Sequence, residues 1–381
     1  MKKERIDKTI ELMKQEKLEA VIYGVGANFQ YLLEANDFYW QRACMTNIAG
    51  HFSAYTLPQA FLLLKQSGEL TIFCAYRYAD YFTKRYDNVV VSYLDQFEDA
   101  LAPYICEQRI GVGFSCRPFF EETLHEIDKN IDIIDAEDLL WSIRVIKDDD
   151  EITQLRKLAA FTDEACMYVA THLKEGIRQI DAENMLIEYA TRHGLSDLAF
   201  PPTVGFKTRN SILTEDVNTY DRYWKLVEGT GIAFDVGFMM NGYCSDWGRT
   251  LYYGKAPEKM KDAYHALQAG QVHMIESIVP NQTNNNQLYG FVKEKCEELG
   301  FGPDLRFPES EMLGHQIGID CHEFPMVNKK YDFIMKRGMV FASEPKMWFE
   351  NEMYMRVEDM ILVTENGAES LSKFDRNLFE I

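Results

Sequence analysis

Charged residues interrupt several apolar, strand-like segments in the second half of this 381-residue chain. Asp235 follows Ile-Ala-Phe, Glu344 follows Val-Phe-Ala-Ser, and Arg356 and Glu358 alternate with apolar residues. A buried charge is costly unless it is paired or bound to a metal ion. These segments therefore predict a polar site built on buried strands. For Arg356 and Glu358, which share one face by strand alternation, a surface pair on an edge strand is the alternative.

Asn241-Gly242, placed between apolar residues, predicts a β-hairpin with a carboxylate on each arm. That turn pairs Met240 with Tyr243 and puts Asp235 and Asp246 on one face, at Cα separations of roughly 7–8 Å. The arrangement suits two carboxylates that reach a pair of metal ions about 3.5–4 Å apart. Two aspartates that flank a turn and face water are the alternative.

Two histidines, His315 and His322, lie seven residues apart in a glycine-containing segment. Residues at that spacing do not share a strand face. One of them could therefore bind a metal while the other reaches a substrate, although a pair of histidines is more often structural.

Composition narrows the classes of partner. The 40 basic and 60 acidic side chains give a net charge of −20, which disfavours nucleic acid. Eight cysteines are scattered without a C-x-x-C pair, a pattern typical of reduced thiols in a cytoplasmic protein. The amino terminus does not read as a signal peptide, and no uncharged run approaches the roughly 20 residues of a membrane span. We therefore expect a cytoplasmic protein with neither nucleic acid nor a membrane as its partner.

The order of predicted elements favours an α/β first domain. The pattern predicts helices over 1–17, 97–107 and 118–129, and strands near 20–23, 60–64, 70–74, 89–91 and 110–112. The acidic run Asp148–Glu151 predicts the first turn of a long helix, where the helix dipole favours carboxylates, in preference to a cation site. Further helices are expected over 181–193, 257–279 and 285–299, with strands from 198 onward.

The order Asp, Asp, His, Glu, Glu with these flanks resembles the pita-bread metallopeptidase family, which includes Xaa-Pro dipeptidases (prolidases), aminopeptidase P and methionine aminopeptidase. Asn28–Leu33 is similar to the creatinase-type N-terminal domain, residues 140–156 resemble the interdomain junction, and Phe200-Pro201-Pro202 resembles the first catalytic strand. The resemblance implies an α/β (α+β) fold, with a creatinase-like domain over 1–142 and a pita-bread catalytic domain over 143–381.

The resemblance also implies a metal-dependent hydrolase with two divalent ions, manganese before cobalt, zinc or iron. Asp246 and Glu358 would bridge both ions, and a metal-bridging hydroxide would attack the amide carbonyl of a small Xaa-Pro peptide. Glu344 would handle the proton, while His322 and Arg356 would steady negative charge or hold the substrate. A homodimer is implied as well. The implied metal ligands are Asp235, Asp246, His315, Glu344 and Glu358.

The loop 206–228 departs from the family pattern, because it lacks the histidine that the family's peptidases usually carry before the first aspartate. Glu215 takes that place, and Tyr220 and Trp224 add aromatic rings. Carboxylates and aromatics suit a cationic ligand. The alternative function is therefore a hydrolase or lyase for a small cationic or zwitterionic metabolite, such as ectoine, dimethylsulfoniopropionate or a creatine-like compound; a solvated loop is the plainer interpretation.

Two further hypotheses complete the set. A non-catalytic binding protein of the same fold is disfavoured, because such a protein has no need of a complete ligand set. The aromatic run Phe38-Tyr39-Trp40, close to Arg42, predicts a cap over the site or a dimer contact, with an ordinary core segment as the alternative.

Overall fold

The computed structural model describes residues 2–38, 57–195, 197–207, 222–349 and 353–381. The chain divides into two units, Met1–Arg144 and Val145–Ile381. None of the helices in the described ranges combines the length and apolarity that a bilayer crossing requires.

The first unit is built on a mixed six-stranded sheet with the order β4-β3-β2-β1-β5-β6. The central strand β1 is buried along its whole length, pairs antiparallel with β2 and runs parallel to β5. The strands are β1 Ala20–Gly24, β2 Ala60–Lys65, β3 Leu70–Ala75, β4 Val89–Ser92, β5 Arg109–Val112 and β6 Asp132–Asp135. The helices are α1 Lys3–Gln15, α2 Ala27–Leu33, α3 Ala79–Thr83, α4 Phe97–Leu101, α5 Arg117–Ile127 and α6 Trp141–Arg144.

The helix predicted over 97–107 is shorter than expected. It ends at Leu101 and is followed by a single 3₁₀ turn, Ala102–Tyr104, that contains Pro103. Proline has no backbone N–H to donate to an α-helical ladder, so the helix cannot continue in regular form. Of the aromatic run, Phe38 is buried against Phe29 and Phe82, while Tyr39, Trp40 and Arg42 lie outside the described residues.

The described residues of the second unit form four α-helices and two sheets. The helices are α7 Asp149–His172, α8 Gln179–Arg192, α9 Glu258–Ser277 and α10 Leu288–Glu298. The strands are β7 Asp197–Leu198, β8 Thr203–Lys207, β9 Thr230–Val236, β10 Phe238–Met240, β11 Tyr243–Cys244, β12 Trp247–Tyr253, β13 Gly314–Gln316, β14 Glu323–Val327, β15 Val340–Ser343, β16 Lys346–Phe349, β17 Met353–Val363, β18 Ala368–Ser370 and β19 Phe379–Glu380.

The larger sheet of this unit is organised around β17. Its principal order is β14-β13-β15-β17-β12-β9-β8, with β16 and β18 also paired to β17 and β19 paired to β12. A core of buried apolar residues from α9, α10 and the sheet, including Leu267 and Met355, packs on one side. Polar residues of β9, β12 and β17 can therefore meet on the other side.

The predicted hairpin and the predicted helix start are both confirmed. Met240 pairs with Tyr243. Asn241 and Gly242 both have positive φ, 49° and 78°, as a type I′ turn requires. Asp148 caps α7 in a reciprocal capping box with Glu151, so the acidic run is a helix terminus.

Candidate metal centre

Six side chains from separate segments of the sequence converge on one region of the larger sheet. Their potential ligand atoms fall into three overlapping groups, each with its atoms within 4.8 Å of one another: Asp235, Asp246 and Glu358; His315, Glu344 and Glu358; and Asp246, His315 and His322. The sequence-predicted metal ligands therefore meet in space.

Strand pairing produces this convergence. Gly248 of β12 lies opposite Asp235 of β9 on one side and opposite Glu358 of β17 on the other. Asp246 stands two residues before Gly248, on the same face of the strand. His315 lies on β13, next to β15, and the backbone N–H of Glu344 donates to the Leu313 carbonyl at 2.8 Å. The strands β9, β13 and β17, together with the residues just before β12 and just after β15, thus bring the ligands together.

Gly248 keeps the centre of the cluster open. A Cβ atom at this position would lie 2.5 Å from Arg356 Nε and 2.6 Å from a Glu358 carboxylate oxygen. Real Cβ atoms essentially never approach another heavy atom this closely. Even a methyl group at this position would therefore displace both side chains.

We expect Gly248→Ala to lower metal affinity and activity about tenfold or more, since displaced ligand-orienting groups typically cost 10–100-fold. Metal titration and kcat/KM measurements check this effect. Gly290→Ala is the matched control, because a Cβ at Gly290 in α10 meets nothing within 4 Å. Equal behaviour of the two variants would contradict the role given to Gly248.

Arg356 lies inside the carboxylate cluster. Its guanidinium is 2.9 Å from Asp235 Oδ2, 3.2 Å from Glu358 Oε2 and 3.8 Å from Glu344 Oε2. A further hydrogen bond from Nη2 reaches the Phe234 carbonyl at 2.8 Å. The predicted shared face of Arg356 and Glu358 is confirmed, but the side chains are only 7% and 1% exposed, so the edge-strand alternative is wrong.

The two histidines are in contact despite their separation along the chain. Their rings lie 4.1 Å apart, with His315 buried and His322 exposed. His315 Nε2 is 3.3 Å from Asp246 Oδ2, and the Cys321 thiol donates to the same oxygen at 3.3 Å. His322 therefore lies beside His315 and Asp246 with its side chain exposed.

Electrostatics in the cluster reflect crowded, buried carboxylates. Burial, followed by repulsion from Asp246 and Glu344, raises the pKa of Glu358 well above its usual value. Burial raises the pKa of Asp235 too. Burial also opposes ionisation of Asp246, but His315, Arg356 and the Cys321 thiol together outweigh it and lower the pKa of Asp246. Although His322 is exposed, its ring is partly desolvated by its neighbours. This desolvation and the adjacent His315 lower the pKa of His322, which favours a neutral imidazole.

The cluster fits divalent cations. Asp246 Oδ1 is fully buried and has no hydrogen-bond partner among the described residues, while the buried Glu358 carboxylate is held by its ion pair with Arg356. Unpartnered buried oxygens carry a large desolvation cost that a bound cation would offset. Four carboxylates and one imidazole also match the preference of hard to borderline divalent ions. The residues that could hold such ions are Asp235, Asp246, His315, Glu344 and Glu358.

Several residues that hold the proposed ligands in position were not predicted from the sequence. Glu323 accepts hydrogen bonds from the N–H groups of Ile319 and Asp320 at 3.0 and 3.3 Å and pairs with buried Lys147 at 3.2 Å, which fixes the segment between the two histidines. Lys346 forms an ion pair with Glu344. Lys346 could have been found by the same two-residue alternation that linked Arg356 to Glu358, because it follows Glu344 at that spacing.

The three predicted substrate contacts all belong to the loop 206–228. Glu215 and Tyr220 lie outside the described residues. Trp224 is 37% exposed, and its carbonyl accepts a hydrogen bond from the N–H of Gln179 at 2.9 Å. Within the described part of the chain, Trp224 has no hydrogen bond, ion pair or ring contact with the carboxylate cluster.

The fold and the site define a pita-bread metallopeptidase. Residues 153–365 match the model of metallopeptidase family M24, which covers more than half of the chain. The chain therefore belongs to metallopeptidase family M24, as the sequence resemblance implied.

Named relatives agree with this assignment. A Xaa-Pro dipeptidase of Pyrococcus horikoshii is 25% identical over 378 residues, 98% of each chain. An uncharacterized peptidase of Staphylococcus epidermidis is 28% identical over 242 residues, which cover 64% of this chain and 66% of that protein. The fold is similar to that of the Xaa-Pro dipeptidase from Bacillus anthracis, with a TM-score of 0.82 and 20% identity over 99% of both chains.

Proposed function

We propose that the chain hydrolyses the amide bond of small Xaa-Pro peptides, as a dipeptidase or an aminopeptidase, with two divalent cations and manganese as the first candidate. The convergence of six ligand-type side chains into three overlapping groups carries this proposal. Relatives described as Xaa-Pro dipeptidases support the choice of substrate. The proposed metal ligands are Asp235, Asp246, His315, Glu344 and Glu358.

When bound, the two ions would supply Lewis acidity and a water molecule acidic enough to act as hydroxide near neutral pH. Glu344, whose side chain is 16% exposed, would take the proton of the attacking water and pass it to the leaving amine. His322, neutral and exposed at the rim, would donate a hydrogen bond to the oxygen of the scissile carbonyl. Arg356 would hold Asp235 and Glu358 in orientation.

We also propose that residues 143–381 form the catalytic domain and residues 1–142 a creatinase-type domain, in a cytoplasmic homodimer that binds neither nucleic acid nor membranes. The net charge of −20 supports the first of those exclusions. None of the seven described cysteines is in a disulfide, which supports a reducing compartment. Glu215, Tyr220 and Trp224 stay proposed substrate contacts.

The test is a substrate panel with enzyme loaded with manganese or zinc. We expect proline release from Ala-Pro and Gly-Pro, little turnover of Ala-Ala, loss of activity on chelation and recovery when metal is restored. Ectoine, dimethylsulfoniopropionate and creatine test the alternative function in the same assay. Conversion of one of these compounds by fully metal-loaded enzyme, without any proline release from Xaa-Pro peptides, would refute the proposal.

A further inference from the structure

Lys346 places a positive charge at the edge of the carboxylate cluster. It is the first residue of β16, pairs with Arg356 across the strand, and contacts Glu344. Its side chain is 17% exposed. A lysine ammonium has three N–H donors, and among the described residues only Glu344 is in hydrogen-bonding or ionic contact with it. Donors therefore remain for another acceptor.

Arg306 lies directly beside Lys346. The Arg306 N–H donates to the Lys346 carbonyl at 3.0 Å, and the Tyr289 hydroxyl donates to the Arg306 carbonyl at 2.9 Å. The Phe307 ring lies next to both cationic groups, 4.7 Å from Arg306 Cζ and 5.9 Å from Lys346 Nζ. The two positive charges thus lie beside the same aromatic ring.

Aromatic rings hold the Arg306 guanidinium in place. Its Cζ lies 4.9 Å from the Trp348 ring centre and 5.7 Å from that of Tyr354, in addition to the Phe307 contact. Within the described ranges, no carboxylate or carbonyl oxygen accepts a hydrogen bond from this guanidinium. A group with five donors, oriented by ring faces and lacking a protein acceptor, is suited to binding an anion.

Charge balance points in the same direction. With all four carboxylates of the cluster ionised to bind metal, the two cations Lys346 and Arg356 leave two net negative charges. Two divalent ions would exceed that requirement by two positive charges, and Arg306 adds a further positive charge nearby. A negative charge on the substrate would reduce this excess.

We propose that Lys346 and Arg306 form an anion subsite that selects substrates with a carboxylate close to the scissile amide. This inference rests on the proposed function, because it specifies the substrates of that same site. The carboxylate has two sources, the free C-terminus of a dipeptide and an acidic side chain. A subsite of this kind disfavours bare cations, since its two fixed positive charges would repel them.

The experiment compares three substrates of the manganese-loaded enzyme: Ala-Pro, the neutral Ala-Pro amide, and Asp-Pro amide, whose carboxylate is on the side chain. Wild type should prefer Ala-Pro or Asp-Pro amide over Ala-Pro amide by about 10- to 100-fold in kcat/KM, as expected for charge-assisted hydrogen bonds. Whichever acid is preferred identifies the source of the carboxylate.

Lys346→Met should remove most of that preference, because it should raise KM for the acidic substrate by more than it raises KM for Ala-Pro amide, whatever it does to kcat through its contact with Glu344. Lys346→Arg should restore part of the preference for the acidic substrate. Arg306→Gln, made in a protein that keeps Lys346, should also weaken this preference. Lys261→Met is the matched control, since Lys261 forms its ion pairs with Glu258 and Glu380 instead. Calorimetry with proline and prolinamide gives a readout without turnover, with only proline binding weakened in the Lys346 and Arg306 variants.

Equal losses for acidic and neutral substrates, or unchanged proline binding in both variants, would overturn the subsite. If Lys346→Met loses metal, Arg306→Gln decides the question. The proposed function fails separately, when metal-loaded wild type hydrolyses none of the peptides; proline calorimetry still tests the subsite in that case.

Discussion

Glu358→Gln should lose at least one metal ion and reduce kcat/KM by about three orders of magnitude, because a ligand to the metal ions contributes several kcal/mol of transition-state stabilisation. Glu358 is 1% exposed and belongs to two of the three ligand groups. Glutamine keeps the shape but removes the charge, so the fold should survive. Elemental analysis and steady-state kinetics on protein purified with excess manganese give the measurement.

The stability of the same variant provides an internal check. The pKa of Glu358 is raised in the metal-free fold by burial and by its carboxylate neighbours. For an acid with a raised pKa, the native state loses stability as pH rises through that pKa. The glutamine of Glu358→Gln cannot ionise. Near neutral pH, the metal-free variant should therefore have a free energy of unfolding at least as large as that of metal-free wild type.

Glu369→Gln is the control for this experiment, because Glu369 pairs with Arg156 at the surface and contacts none of the proposed ligands. It should keep its metal and its activity. A Glu358→Gln protein with full metal content and undiminished turnover would remove Glu358 from the ligand set.

Asp359→Ala should cost about 3–5 kcal/mol of unfolding free energy, the usual cost of breaking a buried ion pair. Asp359 is completely buried, pairs with Arg249 and accepts a hydrogen bond from Arg376 Nε at 2.9 Å. Arg249 is itself only 1% exposed, so the substitution leaves a buried charge without its partner. Urea denaturation of wild type and variant measures the loss.

The pH dependence of this loss has a definite sign. Burial opposes ionisation of Asp359, but Arg249 and Arg376 outweigh it and lower its pKa. A lowered pKa stabilises the fold above the unfolded-state value, and that contribution disappears as pH falls through the folded-state value. The gap between wild type and Asp359→Ala should therefore narrow in acid.

Asp80→Ala is the matched control, since it breaks an exposed pair with Lys84 and should leave stability unchanged within error. A loss for Asp359→Ala no larger than that of the control would contradict the buried-pair interpretation. The outcome also separates neighbours: Glu358 should govern metal and activity, while Asp359, on the opposite face of β17, should govern stability.

Much of the centre could be predicted because strand geometry is local and periodic. Alternation placed Arg356 and Glu358 on one face, and the Asn241-Gly242 turn set the register that brings Asp235 and Asp246 together. The family resemblance supplied the remaining ligands.

Other features depend on contacts that no local pattern contains. Arg306 reaches Lys346 through a backbone hydrogen bond between residues 40 positions apart, and Lys147 reaches Glu323 across an even longer separation. The helix predicted over 97–107 failed for a different reason, because apolar periodicity continued past Pro103 while the backbone could not. Sequence periodicity indicates which residues are buried. Where a helix ends and which distant residues meet depend on hydrogen-bond capacity and on tertiary contacts.

The tight turn at Asn241-Gly242 limits how this hairpin can vary in length. A one-residue insertion or deletion there would turn every following side chain of the second hairpin strand to the opposite face. Asp246 would then leave the carboxylate cluster. Exchanges of residue type outside the turn preserve the register. Divergence or engineering of this arm is therefore compatible with substitutions, or with paired changes in length, but not with a single indel.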